Sequence, residues 1–314
     1  MRILITGGAG FLGSVLANTL VPDGHEVLVL DDLSAGNPDR LRSEVLFHRG
    51  NITDRPKLWT LLQGVDCVYH LAARVLVAES TLYPREYNEV NVSGTVALLE
   101  AMRDVGIPRL IFASSGAVYG DQPEQPITET TPPNPLSPYA VSKLAAEYYV
   151  HTIGALWGTQ TVALRIFNAY GPGQPLLPSH SPVIPRFINQ ALGGGSLVVF
   201  GDGNQTRDFV YVTDVVRALI AAMSVEEPKH CTINVGSGVE VSINELAEEI
   251  LAQTGATSNL IYSPVGSGGV CRLGADLSLA RKLLGYQPEV SIQEGLARIM
   301  REDPRFCGRR GDQP

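Results

Sequence analysis

Four cysteines, Cys67, Cys231, Cys271 and Cys307, are too few and too widely spaced to staple a chain of 314 residues. They form no C-x-x-C hairpin and imply reduced structural thiols. Basic residues are also scarce, 24 Lys and Arg against 32 acidic residues, for a formal net charge of −8. A chain of that sign repels nucleic acid and anionic membranes unless a basic run overrides it. There is no such run, the one small cluster being Arg309 and Arg310 in a glycine-rich tail. Long apolar runs are missing as well. The opening MRILITGGAG breaks into glycine after a few apolar residues, without the apolar centre of a secretory leader, and no later run reaches the length of a membrane span. The expectation is a cytoplasmic protein with neither nucleic acid nor membrane as partner. Its six histidines, His25, His48, His70, His151, His180 and His230, lack ligand spacing, so no metal is expected. His70 reads as packing beside a cleft.

What is present is a composition 44% hydrophobic and 18% charged, enough to bury a core without disulfides. Short β-branched runs alternate with helix-period segments: RILIT then FLGSVLANTL; EVLVL; VLFHRG then RPKLWTLL; CVYHLA then NVSGTVALLEAMRDV; RLIFAS then a helix from Pro138; and TVALRI as a sixth strand. This alternation predicts an α/β fold, a doubly wound parallel sheet whose central strands are apolar on both faces. After residue 167 the rhythm loosens into NAYGPGQPLLPSHSP, dense in Pro and Gly. Beyond it, helices are predicted at VIPRFINQAL, VTDVVRALIAAM, SINELAEEILAQ and LSLARKLL, with strand-like LVVF and TINVG. The C-terminal GRRGDQP reads as a mobile tail.

Gly7, Gly10 and Gly13, in TGGAGFLGS, fall between the first strand and the first helix. Glycines there allow a tight turn and close approach of the backbone to a pyrophosphate held at the helix N-terminus. Such a triplet alone is a weak signal. Asp31 strengthens it by ending the second strand 18 residues after Gly13, where a carboxylate meets the adenosine ribose. A carboxylate binds both ribose hydroxyls and repels a 2′-phosphate, so the expected cofactor is NAD rather than NADP.

PYAVSK places Tyr139 and Lys143 four residues apart, on one face of a helix with Cβ atoms about 5–6 Å apart. An ammonium there is expected to lower the phenol's pKa toward working pH and make it a general base. Ser115, in SSGAVYGD, closes the fifth strand and points into the crevice where such sheets bind ligands, placed to steady an alcohol oxygen while Tyr139 moves its proton. An isolated Y-x-x-x-K is more often a core aromatic and a solvated lysine. The strand-end hydroxyls, the helix start at Pro138 and the glycine fingerprint together reverse that balance.

TGGAGFLG, HLAA, NVSGT, SSGAVYG, PYAVSK, RIFNAYGPGQ and TRDFVYVTDV, in this order, resemble the extended short-chain dehydrogenase/reductase family, the NAD-dependent sugar-nucleotide epimerases and dehydratases. The resemblance runs from residue 1 to about residue 300. It implies a Rossmann domain over residues 1–167, with a return of the chain around 205–238, and a smaller α/β substrate domain over 168–204 and 239–306, leaving 307–314 as tail. It further implies a homodimer joined through a four-helix bundle. Carried over position by position, Phe11 and Leu12 cover the pyrophosphate, Asp31, Asp32 and Ser34 lie at the ribose, and Asn51 with Ile52 at the adenine, Asn51 standing where relatives usually carry Asp. Leu71, Ala72 and Ala73, with Asn91 near them, line the nicotinamide side together with Tyr139, Lys143 and Phe167. Asn168 and Arg207 meet the substrate diphosphate, Arg207 by forked recognition.

Dehydratases of this family place acidic residues directly after the catalytic hydroxyl, where this chain has Gly116 and Ala117. Eliminating water needs an acid and a base that neither residue supplies. The reading is therefore NAD-dependent 4-epimerisation of a UDP-sugar, UDP-glucose and UDP-galactose first, through a 4-keto intermediate. UDP-N-acetylglucosamine or UDP-glucuronate as substrate, a 4-keto reductase or dehydratase, and a non-enzymatic dinucleotide sensor remain as alternatives. In GSGGVCRLGAD the family's usual Arg and Asp fall on Gly266 and Gly269, Arg272 is the candidate replacement, and Leu273 takes the place that gates the sugar pocket.

Overall fold

The computed structural model describes residues 1–176, 181–226, 229–264 and 269–308; His180, Gly266, Arg309, Arg310 and the rest of the tail lie outside them. The six expected strands are β1 (Arg2–Thr6), β2 (Glu26–Asp31), β3 (Leu46–Arg49), β4 (Cys67–His70), β5 (Arg109–Ser115) and β6 (Gln160–Ile166). Later in the chain come β7 (Asn168–Tyr170), β8 (Leu197–Phe200), β9 (Thr206–Tyr211), β10 (Cys231–Val235), β11 (Glu240–Ser242) and β12 (Leu260–Ser263). The helices are α1 (Phe11–Leu20), α2 (Arg55–Leu61), α3 (Val77–Leu82), α4 (Pro84–Asn88), α5 (Gly94–Val105), α6 (Pro138–Trp157), α7 (Val183–Leu192), α8 (Val212–Ala222), α9 (Ile243–Thr254), α10 (Ser278–Leu284) and α11 (Ile292–Glu302).

Seven strands form one sheet in the order β10-β6-β5-β4-β1-β2-β3, every pair parallel. Period-two alternation sends Ile3 and Ile5 into the core on one face, with Leu16 of α1, Val215 of α8 and Ala280 of α10. Leu4 goes to the other face, with Leu58 of α2, Leu98 of α5 and Ala146 of α6. Both faces are covered, which makes this a doubly wound Rossmann-type sheet. Strand order reverses between β1 and β4, so the crevice for a ligand opens at the carboxyl ends of these strands.

A smaller layer holds the sheet β11-β9-β7 and the pair β12-β8. Phe187 of α7, Leu246 of α9 and Leu296 of α11 close a third core with Tyr170 and Phe209. Ser242 and Glu245 form a capping box at the start of α9. The helix α11 was not among the sequence expectations because Gly295 interrupts its pattern. The structure explains that glycine: a Cβ there would strike the Tyr170 phenol. NVSGTVALLEAMRDV likewise differs from a plain helix, since a π-helical turn, Glu89–Ser93, joins α4 to α5. Among the described residues no helix is long and apolar enough to cross a membrane.

Candidate active site

The turn after β1 is shaped for close approach. Gly7 has φ +69° and donates to Leu30 O at 2.8 Å. A Cβ on Gly7 would lie 2.6 Å from the Ala72 nitrogen, and one on Gly13 would strike the Gly7 carbonyl. The first N–H groups of α1 find no helical carbonyl, and the N-cap Gly10 offers them no side chain. They fit a dinucleotide pyrophosphate. Phe11 and Leu12 pack their side chains against the third core, which leaves their backbone to face such a ligand.

Asp31, at the end of β2, is buried and accepts from Ala9 N at 3.0 Å and Leu33 N at 2.9 Å. Leu33 adopts φ +65° to make that turn. Burial raises the carboxyl's pKa while the two amides pull it down. Asp32 and Ser34 are exposed beside it, hydrogen-bonded to each other at 2.6 Å. Asn51 follows β3 and turns its Oδ1 onto Thr53 N at 2.9 Å; Ile52 is buried against Gly94.

Leu71 to Ala73 continue from β4. Leu71 N donates to Thr6 O at 3.0 Å, and Ala72 covers Gly7. Asn91, on the π turn, clamps the end of this loop: Arg74 N donates to its Oδ1 at 2.8 Å, and its Nδ2 donates to Arg74 O at 3.0 Å and Ser142 Oγ at 2.9 Å. All three bonds go to protein, so Asn91 shapes the cleft wall. His70 lies beneath, between Thr6 Oγ1 at 2.7 Å and Thr95 Oγ1 at 2.9 Å. Thr95 spends its own proton on Asn91 O, so His70 Nε2 donates and Nδ1 accepts. Burial first, then the Lys143 charge, pushes its pKa down to about 3.

Ser115 ends β5, buried, and Tyr139 and Lys143 open α6, which starts at the N-cap Ser137 with Pro138 in its first turn. The structure brings all three together. Lys143 Nζ sits 4.5 Å above the Phe112 ring, and the Tyr139 ring stands edge-on to Tyr87. The electrostatics differ from the expectation that the ammonium lowers the phenol. Burial raises the Tyr139 pKa, and the group that opposes it is Ser115 by hydrogen bonding. Lys143 is itself pushed down to about 7 by burial, with Glu147 opposing. Ser115 therefore offsets part of the burial effect on the phenol, while Lys143 is close to losing its own proton near neutral pH.

Sequence reasoning passed over Glu147 and Arg165. Both are buried, and Arg165 Nη2 meets Glu147 Oε1 at 2.6 Å. The signal for Glu147 was its place one further turn along the Tyr139–Lys143 face; nothing in the sequence marked its partner on β6.

On the far side of the crevice Phe167 is buried with its ring against Gly116, about which a Cβ would come within 3.1 Å. Asn168 begins β7, opposite Phe209. Arg207, on β9, bonds its own neighbour's carbonyl, Thr206 O, at 2.7 Å and lines a cavity of about 950 Å³ with Phe200, Tyr262, Cys271 and Arg272. Arg272 is bound bidentate by Glu240, at 2.6 and 3.0 Å. Gly269 borders the same cavity, whereas Gly266 lies outside the described residues. Leu273 is buried and packs in the main core. Asp208, fully buried, accepts from Ser237 N, Gly238 N and Ala275 N and thereby fixes the loop that carries Leu273. Among the described residues no cluster of His, Cys, Asp or Glu could hold a metal ion.

A glycine cradle at the switch point, a buried carboxylate ending β2 and a serine-tyrosine-lysine set at the carboxyl ends of the strands fit a dinucleotide-binding enzyme. The chain belongs to the NAD dependent epimerase/dehydratase family, whose model matches residues 3–236. It is 38% identical over 307 residues to UDP-glucose 4-epimerase of Mycolicibacterium smegmatis, covering 96% of this chain and 97% of that protein. The crystal structure of UDP-glucose 4-epimerase with UDP-glucose from Thermotoga maritima superposes with a TM-score of 0.92 at 35% identity, over 97% of this chain and 99% of that one. UDP-glucuronic acid 4-epimerase from Bacillus cereus, in complex with UDP-glucuronic acid and NAD, gives a TM-score of 0.88 at 33% identity, over 95% and 97%.

Proposed function

We propose that this protein interconverts the C4 epimers of a nucleoside-diphosphate sugar, UDP-glucose and UDP-galactose, through a transient 4-keto sugar. The observation that carries the reading is Ser115 and Tyr139 meeting in the crevice with no acid following the hydroxyl. Phe167 fills the space beside Gly116, so an acidic side chain has no room there without displacing that ring. Chemistry at the site is confined to one hydroxyl proton and one hydride.

The α1 N-terminus with Gly7, Gly10 and Gly13 would hold the NAD pyrophosphate, Asp31 its ribose, and the Leu71–Ala73 loop with Lys143 and Phe167 the nicotinamide half. NAD, when bound, supplies the hydride acceptor and a positive charge beside the phenol. Tyr139 takes the proton of the C4 hydroxyl and returns it, Ser115 orienting the same oxygen. Asn168 and Arg207 hold the diphosphate, an anion that answers an arginine whose one side-chain hydrogen bond among the described residues goes to the Thr206 carbonyl and on which Asp121 acts only at longer range. With its diphosphate held at Arg207, the 4-keto sugar turns in the crevice at Ser115 and Tyr139 and regains its hydrogen on the opposite face.

The enzyme acts as a homodimer in the cytoplasm, where its four free cysteines stay reduced. A second copy covers Val141, Tyr148 and Tyr149, apolar and exposed on α6, and the hollow of about 520 Å³ between Pro84, Val92, Leu136 and Ala145. The test incubates purified protein with UDP-glucose, UDP-N-acetylglucosamine and UDP-glucuronate and resolves the C4 epimers. The expected result is epimerisation with NAD retained and a fall of roughly 10²-fold or more in kcat for Tyr139→Phe. A 4-keto-6-deoxy product would overturn the reading.

A further inference from the structure

Tyr139, Lys143, Glu147 and His151 follow one another at four-residue intervals along α6, so they form one stripe on the helix. The first two belong to the proposed reaction; the others have no part in it so far. Glu147 is only 2% exposed, yet four donors converge on it. Ser114 Oγ lies at 2.6 Å, Arg165 Nη2 at 2.6 Å, Arg165 Nε at 3.1 Å and Thr232 Oγ1 at 3.5 Å. In all four bonds the carboxylate is the acceptor.

Thr232 is itself held in direction. His151 Nε2 meets Thr232 Oγ1 at 3.0 Å, His151 Nδ1 meets Thr161 Oγ1 at 2.9 Å, and Thr161 Oγ1 meets His230 Nδ1 at 2.9 Å. Because Thr232 donates to Glu147, it must accept from His151 Nε2–H. His151 Nδ1, unprotonated, then accepts from Thr161, which accepts from His230. Every hydroxyl both gives and takes one proton, and all the bonds point toward Glu147. Gly154 makes room for this chain, since a Cβ there would press on Thr161 Cγ2 and His230 Nδ1.

We propose that Glu147 is a positioning residue for Lys143: anchored by Ser114, Arg165 and Thr232, its fixed negative charge holds the lysine as an ammonium beneath Tyr139. Arg165 alone would satisfy a purely structural carboxylate. Two further features tie Glu147 to the site: it lies one helical turn from Lys143, and it binds Ser114, the immediate neighbour of Ser115. Arg165 pairs with Glu147 and stacks 4.6 Å from the Tyr119 ring; being a cation itself, it balances Glu147 and cannot replace it beside an ammonium. Among the described residues, the other groups around Lys143 do not carry compensating charge. Phe112 and Ser114 of β5 are uncharged, His70 of β4 is neutral, and Tyr139 on α6 is a protonated phenol in the free protein. Consistently, Glu147 is the group that opposes the loss of the Lys143 proton.

The proposal rests on the Tyr139–Lys143 reading of the site, and its test separates the two. The chain has four lysines, Lys57, Lys143, Lys229 and Lys282, so full-length protein labelled with 13C at lysine Cε gives few signals; Lys143→Arg assigns the one of interest. The wild-type signal should titrate near pH 7. In Glu147→Gln its midpoint should move to lower pH, with kcat on the UDP-sugar falling roughly tenfold or more and KM held; Glu147→Asp should restore most of both. Should Glu147→Gln unfold because it strands Arg165, the double variant Glu147→Gln with Arg165→Met removes both charges and shows a smaller downward shift, loss of the like-charged guanidinium offsetting part of it. A midpoint that stays or rises in these variants overturns the proposal, whatever happens to turnover. Absence of epimerisation by the wild type sinks the epimerase reading and leaves the titration to decide the role of Glu147.

Discussion

The Lys143 ammonium rests 4.5 Å from the centre of the Phe112 ring, a cation on an aromatic face in a site 3% exposed. Its pKa of about 7 lies below the ordinary lysine value of 10.5. Below about pH 7 the folded and unfolded chains are both charged there, and the desolvation penalty is fully present. Above it the folded form is neutral while the unfolded form keeps its proton, so the penalty shrinks as pH rises toward 10.5. Lys143→Met should therefore raise Tm by roughly 3 °C or more at pH 6, with the gain fading by pH 10, while abolishing turnover. Calorimetric scans across that range check the sign.

Asp31→Asn removes the charge that would repel a 2′-phosphate and replaces one acceptor by a donor facing the Ala9 or Leu33 amide. NAD affinity should fall roughly tenfold and NADP affinity rise. Titration calorimetry with both dinucleotides measures the two changes, and a variant with unaltered NAD preference would remove Asp31 from the ribose site.

Leu273→Ser tests the gate. Leu273 packs with Ala275 and Leu277 in the core, so the variant should lose roughly 2–4 kcal/mol of stability. It should also gain turnover of UDP-N-acetylglucosamine relative to UDP-glucose. A stable variant with no such gain would place the gate elsewhere.

Val141→Glu puts a charge into the apolar face that includes Tyr148 and Tyr149 of α6. Sedimentation should show the wild type as a dimer and the variant as a monomer with its secondary structure intact. A wild-type monomer would contradict the dimer.

The elements that local spacing encodes were legible from sequence. Gly7, Gly10 and Gly13 lie within one turn, Asp31 closes the next strand, and Tyr139 and Lys143 share a helix face, so none of them needs a tertiary contact to be seen. Glu147 and Arg165 were missed because their pairing crosses from α6 to β6. The direction of the phenol's pKa was misjudged for a related reason: helix spacing gives proximity, whereas desolvation depends on the elements that bury Tyr139, Tyr87 of α4 among them. Asn91 was placed near the right loop, but its three bonds to Arg74 and Ser142 are settled only by the π turn. Gly295 hid α11 until Tyr170 was seen lying across it.

The order of the large sheet has a consequence for synthesis. The outer neighbour of β6 is β10, and the ribosome delivers it only after the whole excursion from Asn168 to His230. At some 5–20 residues per second, the nascent polypeptide carries β6 for several seconds as an open, apolar margin of the kind that invites pairing between chains. A fragment cut at residue 167 would keep that margin permanently and should precipitate, so the nucleotide-binding half matures only when residue 235 has cleared the exit tunnel.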